Sequence, residues 1–191
     1  MDMIGSAILF GILALTIIRV QGNLNTTMME NTLNLNTQSY AIALAREIEY
    51  DITKAGYRVT GAKILKADST EISFRGAQTY EGTIDSIQYR TGVFDTSSSN
   101  PNDFFFIRAA KKGPLAFRCG MTYFRISYSD SLDHLFHTPV PDSSLSKIRG
   151  INVKFRVESL DPVTDPLTGQ VNYYAVSWEK LIYPRNLGKP F

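Results

Sequence analysis

The chain has 191 residues, a formal charge of only +2 and 20% charged residues, which leaves room for one globular domain of ordinary size beside an apolar N-terminal segment. A charge this small creates no long-range field for polyanions, so the composition argues against nucleic-acid binding. The single cysteine, Cys119, can form no disulfide within the chain and lacks the paired spacing of a zinc or redox site. We predict that Cys119 is a small buried hydrophobic residue in a strand.

An uncharged apolar segment follows Asp2 and ends before Arg19. As a helix this segment is about 24 Å long, and it approaches the ~30 Å hydrocarbon core of a bilayer when Arg19 extends its charge to the interface and Val20 is included. The basic start and the small-x-small cleavage site of a secretory signal are missing. We therefore predict a retained transmembrane helix in residues 1–22, with residues 3–20 in contact with lipid.

Small side chains recur along this predicted transmembrane helix. Ala7 and Gly11 form a small-xxx-small pair, and Ala14 follows one turn later. Small residues at this spacing let a second membrane helix approach closely, although ordinary membrane-helix composition gives the same pattern. Ala7, Gly11 and Ala14 are therefore our candidate helix-packing residues, and Arg19 at the membrane boundary is a candidate interface residue.

A predicted extramembrane helix occupies residues 23–56. Its second half has small and apolar residues at helical spacing, at Ala41, Leu44, Ala45, Ile48, Ile52 and Ala55. The opposite face is predicted to carry the charged residues Arg46, Glu47, Glu49, Asp51 and Lys54. Gly56 suits the C′ position of a helix that ends at Ala55. The first half is rich in Asn and Thr, which are poor helix formers, so it is either continuous helix or a partly unwound stretch.

After Tyr57 the hydrophobic period changes, and residues 57–191 are predicted to form a β-rich domain. The clearest strand, Ile151 to Glu158, alternates buried apolar residues with wet polar ones, as in an antiparallel sheet with one solvated face. The wet residues Asn152, Lys154 and Arg156 are candidate interface residues. Further predicted strands, rich in β-branched and aromatic residues, are Glu71 to Arg75, Ser86 to Arg90, Phe104 to Ala109, Leu115 to Arg118, Thr122 to Ser129 and Tyr173 to Tyr183.

The apolar face of such a sheet must pack against another element, and the helix with the apolar stripe from Ala41 to Ala55 is the suitable element in the sequence. The predicted fold is therefore α+β, with a long N-terminal helix, a membrane half plus an amphipathic half, packed on an antiparallel β-sheet. The turn-rich segment Asp161 to Gln170 is predicted to be the loop of a long hairpin that joins the last two strands.

Catalytic patterns do not rise above background in the sequence, which has no Gly-rich phosphate loop, no GxSxG elbow and no Cys/His nucleophile pair. His134 and His137 have a spacing that suits a metal, but no third ligand is defined, so we expect a polar loop there. Asp161 and Asp165 lack the ligand pattern of an EF-hand, so we expect a solvated hairpin tip. We predict no enzymatic activity, no cofactor, no metal and no small-molecule substrate.

Six short segments between residues 46 and 187 carry a resemblance to a known family. They are REIEYDITKAGYR at Arg46 to Arg58, EISFRG at Glu71 to Gly76, TIDSIQYR at Thr83 to Arg90, FRISYSD at Phe124 to Asp130, KIRGINVKFRVES at Lys147 to Ser159 and YPRNL at Tyr183 to Leu187. In their order and spacing the chain resembles the type IV pilin and pseudopilin class, and within it PilW-like minor pilins and the minor pseudopilins of type II secretion. The resemblance implies a pilin-like fold, with a membrane helix whose amphipathic extension packs on a small antiparallel sheet.

The same resemblance implies a structural subunit of a membrane-anchored filament or of a secretion or pilus assembly. Its partners would be other pilin-like subunits or envelope-complex proteins, and its place would be the bacterial cytoplasmic (inner) membrane, crossed once, with the globular domain periplasmic or extracellular. By the positive-inside rule, the charge of Arg19 alone would place the C-terminal side of the membrane helix in the cytoplasm. The orientation therefore stays open on charge grounds.

The class usually has a basic leader, a glycine before the cleavage site and a glutamate just inside the mature helix, whereas Met1 to Leu15 shows no leader and no acid after Asp2. An alternative expectation is therefore an accessory structural subunit of another cell-envelope complex, which uses a pilin-like fold without prepilin processing. A membrane-tethered enzyme or ligand-binding domain is a third reading, and the sequence offers no converging polar cluster for it.

Overall fold

The computed structural model describes residues 2–77, 82–164 and 169–188. Helix α1 covers Asp2–Thr53, 52 residues without a break, and is therefore about 78 Å long. The Asn- and Thr-rich part is continuous helix, and its hydroxyl groups bond back to the preceding turn. Thr26 Oγ1 donates to the carbonyl oxygen of Gly22 across 3.0 Å, and Thr32 Oγ1 to that of Met28 across 2.9 Å. The unwound alternative is therefore wrong for this structure.

The end of α1 differs by two residues from the predicted end at Ala55. Regular helix ends at Thr53, and turns continue through Arg58. Gly56 has the positive φ of 78° expected of a residue that terminates a helix. Its N–H donates to the carbonyl oxygen of Arg75 across 2.7 Å, so a hydrogen bond to the sheet takes the place of the last helical turn.

One large antiparallel sheet and a small ladder follow the helix. The strands are β1 (Ile64–Ala67), β2 (Glu71–Ala77), β3 (Ile84–Phe94), β4 (Phe104–Ala110), β5 (Gly113–Ser129), β6 (Gly150–Glu158), β7 (Val163–Thr164), β8 (Val171–Asn172) and β9 (Ala175–Ile182), with a short helix α2 (Asp142–Leu145) between β5 and β6. Seven strands pair in the order β1-β2-β3-β4-β5-β6-β9, and β7 pairs with β8. Strands β6 and β9 pair antiparallel, as predicted for the two strands of a hairpin, and residues 165–168 of the predicted loop lie outside the described residues.

Each predicted strand coincides with an observed one, with two differences. The short strands β1, β7 and β8 were not predicted. The predicted strands at Leu115 to Arg118 and Thr122 to Ser129 are parts of one strand, β5, which is irregular around Gly120. Gly120 has a φ of 72°, and a Cβ added there would lie 1.9 Å from the carbonyl oxygen of Glu158. Glycine lets β5 pass this close to β6 without ending, which is why a sequence break at this point does not end the strand.

The core lies between the second half of α1 and the curled sheet. The predicted helix stripe is buried at every position, and its residues are Ala41, Leu44, Ala45, Ile48, Ile52 and Ala55. Opposite it, Phe106 on β4 stacks on Tyr89 at 5.5 Å between ring centroids and meets Phe124 edge to face at 4.7 Å. The fold is therefore α+β, one long N-terminal helix packed on a large antiparallel sheet.

Candidate functional site

The domain does not bury the first part of α1. No side chain from Gly5 to Asn36 is buried, and Thr37 is the first buried residue of the helix. At 1.5 Å per residue this part is about 48 Å long. Within the described residues, α1 is the one helix long and apolar enough to cross a membrane, and no residue of its most apolar window is buried. The first part of α1 is therefore not a core helix of the domain.

Polar groups inside the apolar part of the helix are satisfied by the helix itself where the structure shows them. Thr16 Oγ1 donates to the carbonyl oxygen of Ile12 across 2.8 Å. A hydroxyl bonded in this way costs less in hydrocarbon than one without a partner. The helix can therefore cross a bilayer with Thr16 in its apolar part.

The three candidate helix-packing residues share one face of α1. Ala7 and Gly11 are exposed and Ala14 is half-buried, at positions i, i+4 and i+7 of the same helix. A Cβ added at Gly11 would have nothing within 4 Å. Arg19 is exposed at the start of the more polar part. The structure thus leaves this face open to a neighbouring helix, and the packing role of these residues stays a prediction.

Asp51 was predicted on the wet face of α1, and this was wrong. Its residue surface is 1% exposed, and its Oδ2 accepts hydrogen bonds from Tyr89 Oη at 2.6 Å and from Arg108 Nε at 2.7 Å. Arg108 Nε also lies 3.2 Å from Glu47 Oε1. The sequence does contain a signal for this burial. Asp51 follows Leu44 by seven residues, or two helical turns, and therefore borders the apolar stripe.

Asp51 ties α1 to two strands of the sheet, β3 through Tyr89 and β4 through Arg108. The hydrogen bond and the charge of Asp51 raise the pKa of Arg108, whose guanidinium is therefore charged at every physiological pH. Burial, reinforced by the charge of Asp51, raises the pKa of Tyr89, which stays a hydrogen-bond donor. A buried carboxylate held in this way fixes the rotation of α1 about its own axis against the sheet, because any other rotation leaves charges unpaired.

The candidate interface residues of β6 lie in a row on the outer face of the sheet, as predicted. Asn152 Nδ2 donates to Glu179 Oε1 across 3.0 Å, and Lys154 Nζ lies 3.0 Å from Glu179 Oε2. Arg156 pairs with Glu158 at 2.9 Å. On the neighbouring strand β5, Arg125 is the register partner of Lys154 and Tyr123 that of Arg156.

This outer surface combines paired charges of both signs with exposed aromatic rings. An open groove of about 610 Å³ runs along it, with Phe94, Tyr123, Lys154 and Arg156 among its lining residues. Phe94 is 66% exposed and Tyr123 40%. Apolar rings rimmed by polar side chains are typical of surfaces that bind other proteins. The interface role of Asn152, Lys154 and Arg156 stays a prediction.

The two histidines are not arranged as metal ligands. His134 and His137 are both exposed and lie in an irregular loop after β5, so the HxxH spacing does not place them on one helical turn. His134 Nδ1 lies 3.2 Å from Asp130 Oδ2. In residues 2–77, 82–164 and 169–188, no group of three or more His, Cys, Asp and Glu residues is placed to hold a metal. Asp165 lies outside the described residues.

Cys119 is buried in β5, as predicted, and has a free thiol. Its surface is 7% exposed, and burial raises the pKa of the thiol to about 12. A thiol of this kind is unreactive at neutral pH because so little thiolate is present. Cys119 is therefore a packing residue rather than a nucleophile.

These observations show an α+β architecture and one helix that can cross a membrane. No protein-family model, no curated protein and no solved structure matches the chain.

Proposed function

We propose that the chain is a structural subunit of a membrane-anchored assembly, of the minor pilin or pseudopilin kind, and that it is not an enzyme. One observation carries the proposal: a single unbroken helix is apolar and unburied in its first half and is the spine of the β-sheet in its second half. Such a helix transmits a fixed geometry from the membrane to the outer domain, which is the task of a structural subunit.

The first half of α1 exposes so much apolar surface that we expect lipid or other helices to cover it. Nine large apolar side chains from Ile8 to Val20 are 49 to 73% exposed. Burying each would gain about 1.5–3 kcal/mol, so together they are worth on the order of 15–25 kcal/mol. This exceeds the whole folding stability of an ordinary domain, about 5–15 kcal/mol. Lipid or neighbouring helices must therefore cover this part.

A second feature supports other helices as partners beyond the lipid. Leu24, Met28, Leu35 and Ile42 are each more than half exposed, and their spacing of four, seven and seven residues puts them on one side of α1. This stripe continues past the apolar segment, where lipid does not reach. Association with the helices of other pilin-like subunits or of envelope-complex proteins would bury it.

The proposed location is the bacterial cytoplasmic membrane, with residues 3–20 in lipid and the sheet domain on the periplasmic or extracellular side. A maleimide reagent that does not cross membranes would test the side, with a cysteine introduced at exposed Lys112. Labelling in intact spheroplasts supports the proposed orientation, and labelling only after lysis contradicts it.

Cysteine cross-linking in membranes tests the structural role, because the native Cys119 is buried and does not compete. We expect Ala7→Cys, Gly11→Cys and Ala14→Cys to form disulfide-linked dimers or larger species under mild oxidation. Leu9→Cys, on the opposite face of α1, is the matched control and should cross-link much less. Equal cross-linking of both faces, or none, would contradict a specific helix interface.

The same cross-linking experiment distinguishes a filament subunit from an accessory subunit. Cross-links to other proteins without any between two copies would favour an accessory subunit of another envelope complex. Mass spectrometry of the N-terminus gives a second criterion, since a trimmed and methylated terminus supports the filament subunit and an intact Met1 supports the accessory subunit.

A further inference from the structure

The loop between β3 and β4 carries two carboxylates into the interior of the domain. Asp95 and Asp103, at the two ends of the loop, are 5% and 1% exposed. The N–H of Asp95 donates to the carbonyl oxygen of Asp103 across 2.9 Å, so the ends of the loop are held together. Two acidic side chains on one closed loop repel each other unless positive charge or protons accompany them.

The two carboxylates differ in their partners. Asp95 is fully bonded, since its Oδ1 accepts the N–H of Ser97 at 3.0 Å and its Oδ2 lies 2.7 Å from Arg118 Nε. Both oxygens of Asp103 are buried and have no hydrogen-bond partner in the structure. Burial, reinforced by the charge of Asp95, raises the pKa of Asp103, and the nearby Ser98 hydroxyl and Phe104 amide oppose this only partly because neither reaches hydrogen-bond geometry. An unpartnered buried carboxylate needs a cation or a proton.

The loop is dense in the hard oxygen donors that Ca²⁺ prefers. Except for Pro101, every residue from Asp95 to Asp103 carries a side-chain oxygen. Asp95, Ser97, Ser99 and Asp103 stand at the first, third, fifth and ninth positions, the spacing of side-chain ligands in an EF-hand loop. The EF-hand glycine and the bidentate glutamate are replaced by Asn100 and Phe106. The loop is therefore not an EF-hand but offers part of the same oxygen set.

We propose that the loop from Asp95 to Asp103 binds one Ca²⁺ ion, with Asp103 as the principal ligand and with Asp95 and the serine oxygens of the loop completing the shell together with water. With only two carboxylates, most ligands are neutral oxygens, which Ca²⁺ accepts and Mg²⁺, with its rigid octahedral shell, accepts less well. This Ca²⁺ site would be an additional function of the chain, and the proposal does not depend on the proposed structural role.

Arg118 is the competitor for this ion. Its guanidinium neutralises Asp95, but its side chain is 52% exposed and can move into solvent when Ca²⁺ binds. Displacing a guanidinium from one of two carboxylates weakens the site. We therefore expect a dissociation constant on the order of 10⁻⁴ to 10⁻³ M, the range of extracellular calcium modules.

Thermal unfolding of the full chain in detergent micelles tests the proposal, with CaCl₂, MgCl₂ and ionic-strength-matched NaCl as the probes. About 10 mM CaCl₂ should raise the unfolding temperature by about 5 °C, and MgCl₂ by much less. Asp103→Asn should abolish the rise, and Asp142→Asn, on the exposed α2, should keep it. Absence of a Ca²⁺-dependent rise in the wild type, or an equal rise in Asp103→Asn, would overturn the proposal.

Calorimetric titration of the wild type with CaCl₂ gives a second criterion, which does not require Asp103→Asn to fold. Arg118→Gln removes the competing charge and should tighten Ca²⁺ binding about threefold or more. An unchanged dissociation constant in Arg118→Gln would show that the ion binds away from Asp95 and would refute the site. If Asp103 is simply a neutral buried acid, no heat of Ca²⁺ binding is seen in either protein.

Discussion

Tyr89 Oη lies 2.6 Å from Asp51 Oδ2, and this buried hydrogen bond joins β3 to the end of α1. The same oxygen pairs with Arg108, so removing the carboxylate leaves the tyrosine hydroxyl without its partner and leaves the guanidinium with only the more distant, more exposed Glu47. Breaking a buried pair from one side is costly, because the remaining charge keeps its desolvation penalty.

Asp51→Ala should therefore destabilise the domain by about 3 kcal/mol, measured by denaturant unfolding of the full chain in micelles. Glu47→Ala is the matched control, since Glu47 also contacts Arg108 but its side chain is 45% exposed. That loss should stay below about 1 kcal/mol. Equal losses in the two variants would show that Asp51 contributes no more to the free energy of unfolding than the exposed Glu47.

Gly120 is the point where β5 crosses closest to β6, and a side chain there should not fit. Gly120→Ala combines an unfavourable positive φ with a contact of 1.9 Å to the carbonyl oxygen of Glu158, which cannot move without breaking the sheet. We expect a loss of at least about 3 kcal/mol. Gly113→Ala is the control, because Gly113 also has a positive φ but has open space where the Cβ would stand. Its loss should be about 1 kcal/mol, and comparable losses would argue against a steric cause.

Asp130 gives the domain a pH-dependent stability. The N–H groups of Leu132 and His134 donate to its Oδ1 across 2.8 and 3.0 Å, and the first of these contributes most to the lowered pKa of Asp130. A carboxylate whose pKa is lower in the folded than in the unfolded state stabilises the fold above the unfolded value, about 3.9. This stabilisation is lost as the pH falls through the folded pKa.

Asp130→Asn should therefore lower the unfolding midpoint at pH 7, and its difference from the wild type should shrink as the pH is lowered below about 4. Unfolding curves recorded across this pH range measure the effect. Asp142→Asn, at an exposed position, should show no such convergence. A difference that is constant with pH would mean that the charge of Asp130 plays no part.

The architecture was predictable from the sequence because its main signals are local. Apolar residues repeat every three to four positions from Ala41 to Ala55, and every second position from Ile151 to Val157, and both patterns correspond to buried faces. Strand β1, with four residues, is too short for a clear alternation. Its pairing with β2 needs the rest of the sheet.

The misplaced and missed residues depend on partners that are distant in sequence. Asp51 is buried because Tyr89 and Arg108 reach it from two strands, and helical spacing alone does not show this. The segment from Asp95 to Asp103 is rich in Ser and Asn, as expected of a connection between strands, yet the burial of its two end carboxylates depends on the packing of β4 and β5 around them. Local patterns identify elements, whereas buried polar groups are decided by tertiary contacts.

The row Asn152, Lys154 and Arg156 should matter more for assembly than for folding. Lys154, Arg156 and Glu179 are about half exposed, so the pair of Lys154 with Glu179 lies at the surface and contributes little to stability. Glu158, the partner of Arg156, is only 11% exposed. Reversing both charges changes the sign of the outer face beside Arg125 and Tyr123. A partner that fits the present surface would then meet like charge, which strongly opposes association.

Lys154→Glu combined with Arg156→Glu should therefore lower the unfolding midpoint only modestly, because the new carboxylates meet Glu179 and Glu158, and should strongly reduce the fraction of the chain that sediments with high-molecular-weight complexes in detergent extracts. Lys111→Glu combined with Lys112→Glu is the matched control, since both lysines lie on the exposed turn between β4 and β5. Because that pair reverses the same amount of charge at a distance from β6, its complexes should persist. If both double variants lose their complexes equally, overall charge governs assembly, and the outer face of β6 is not the contact surface.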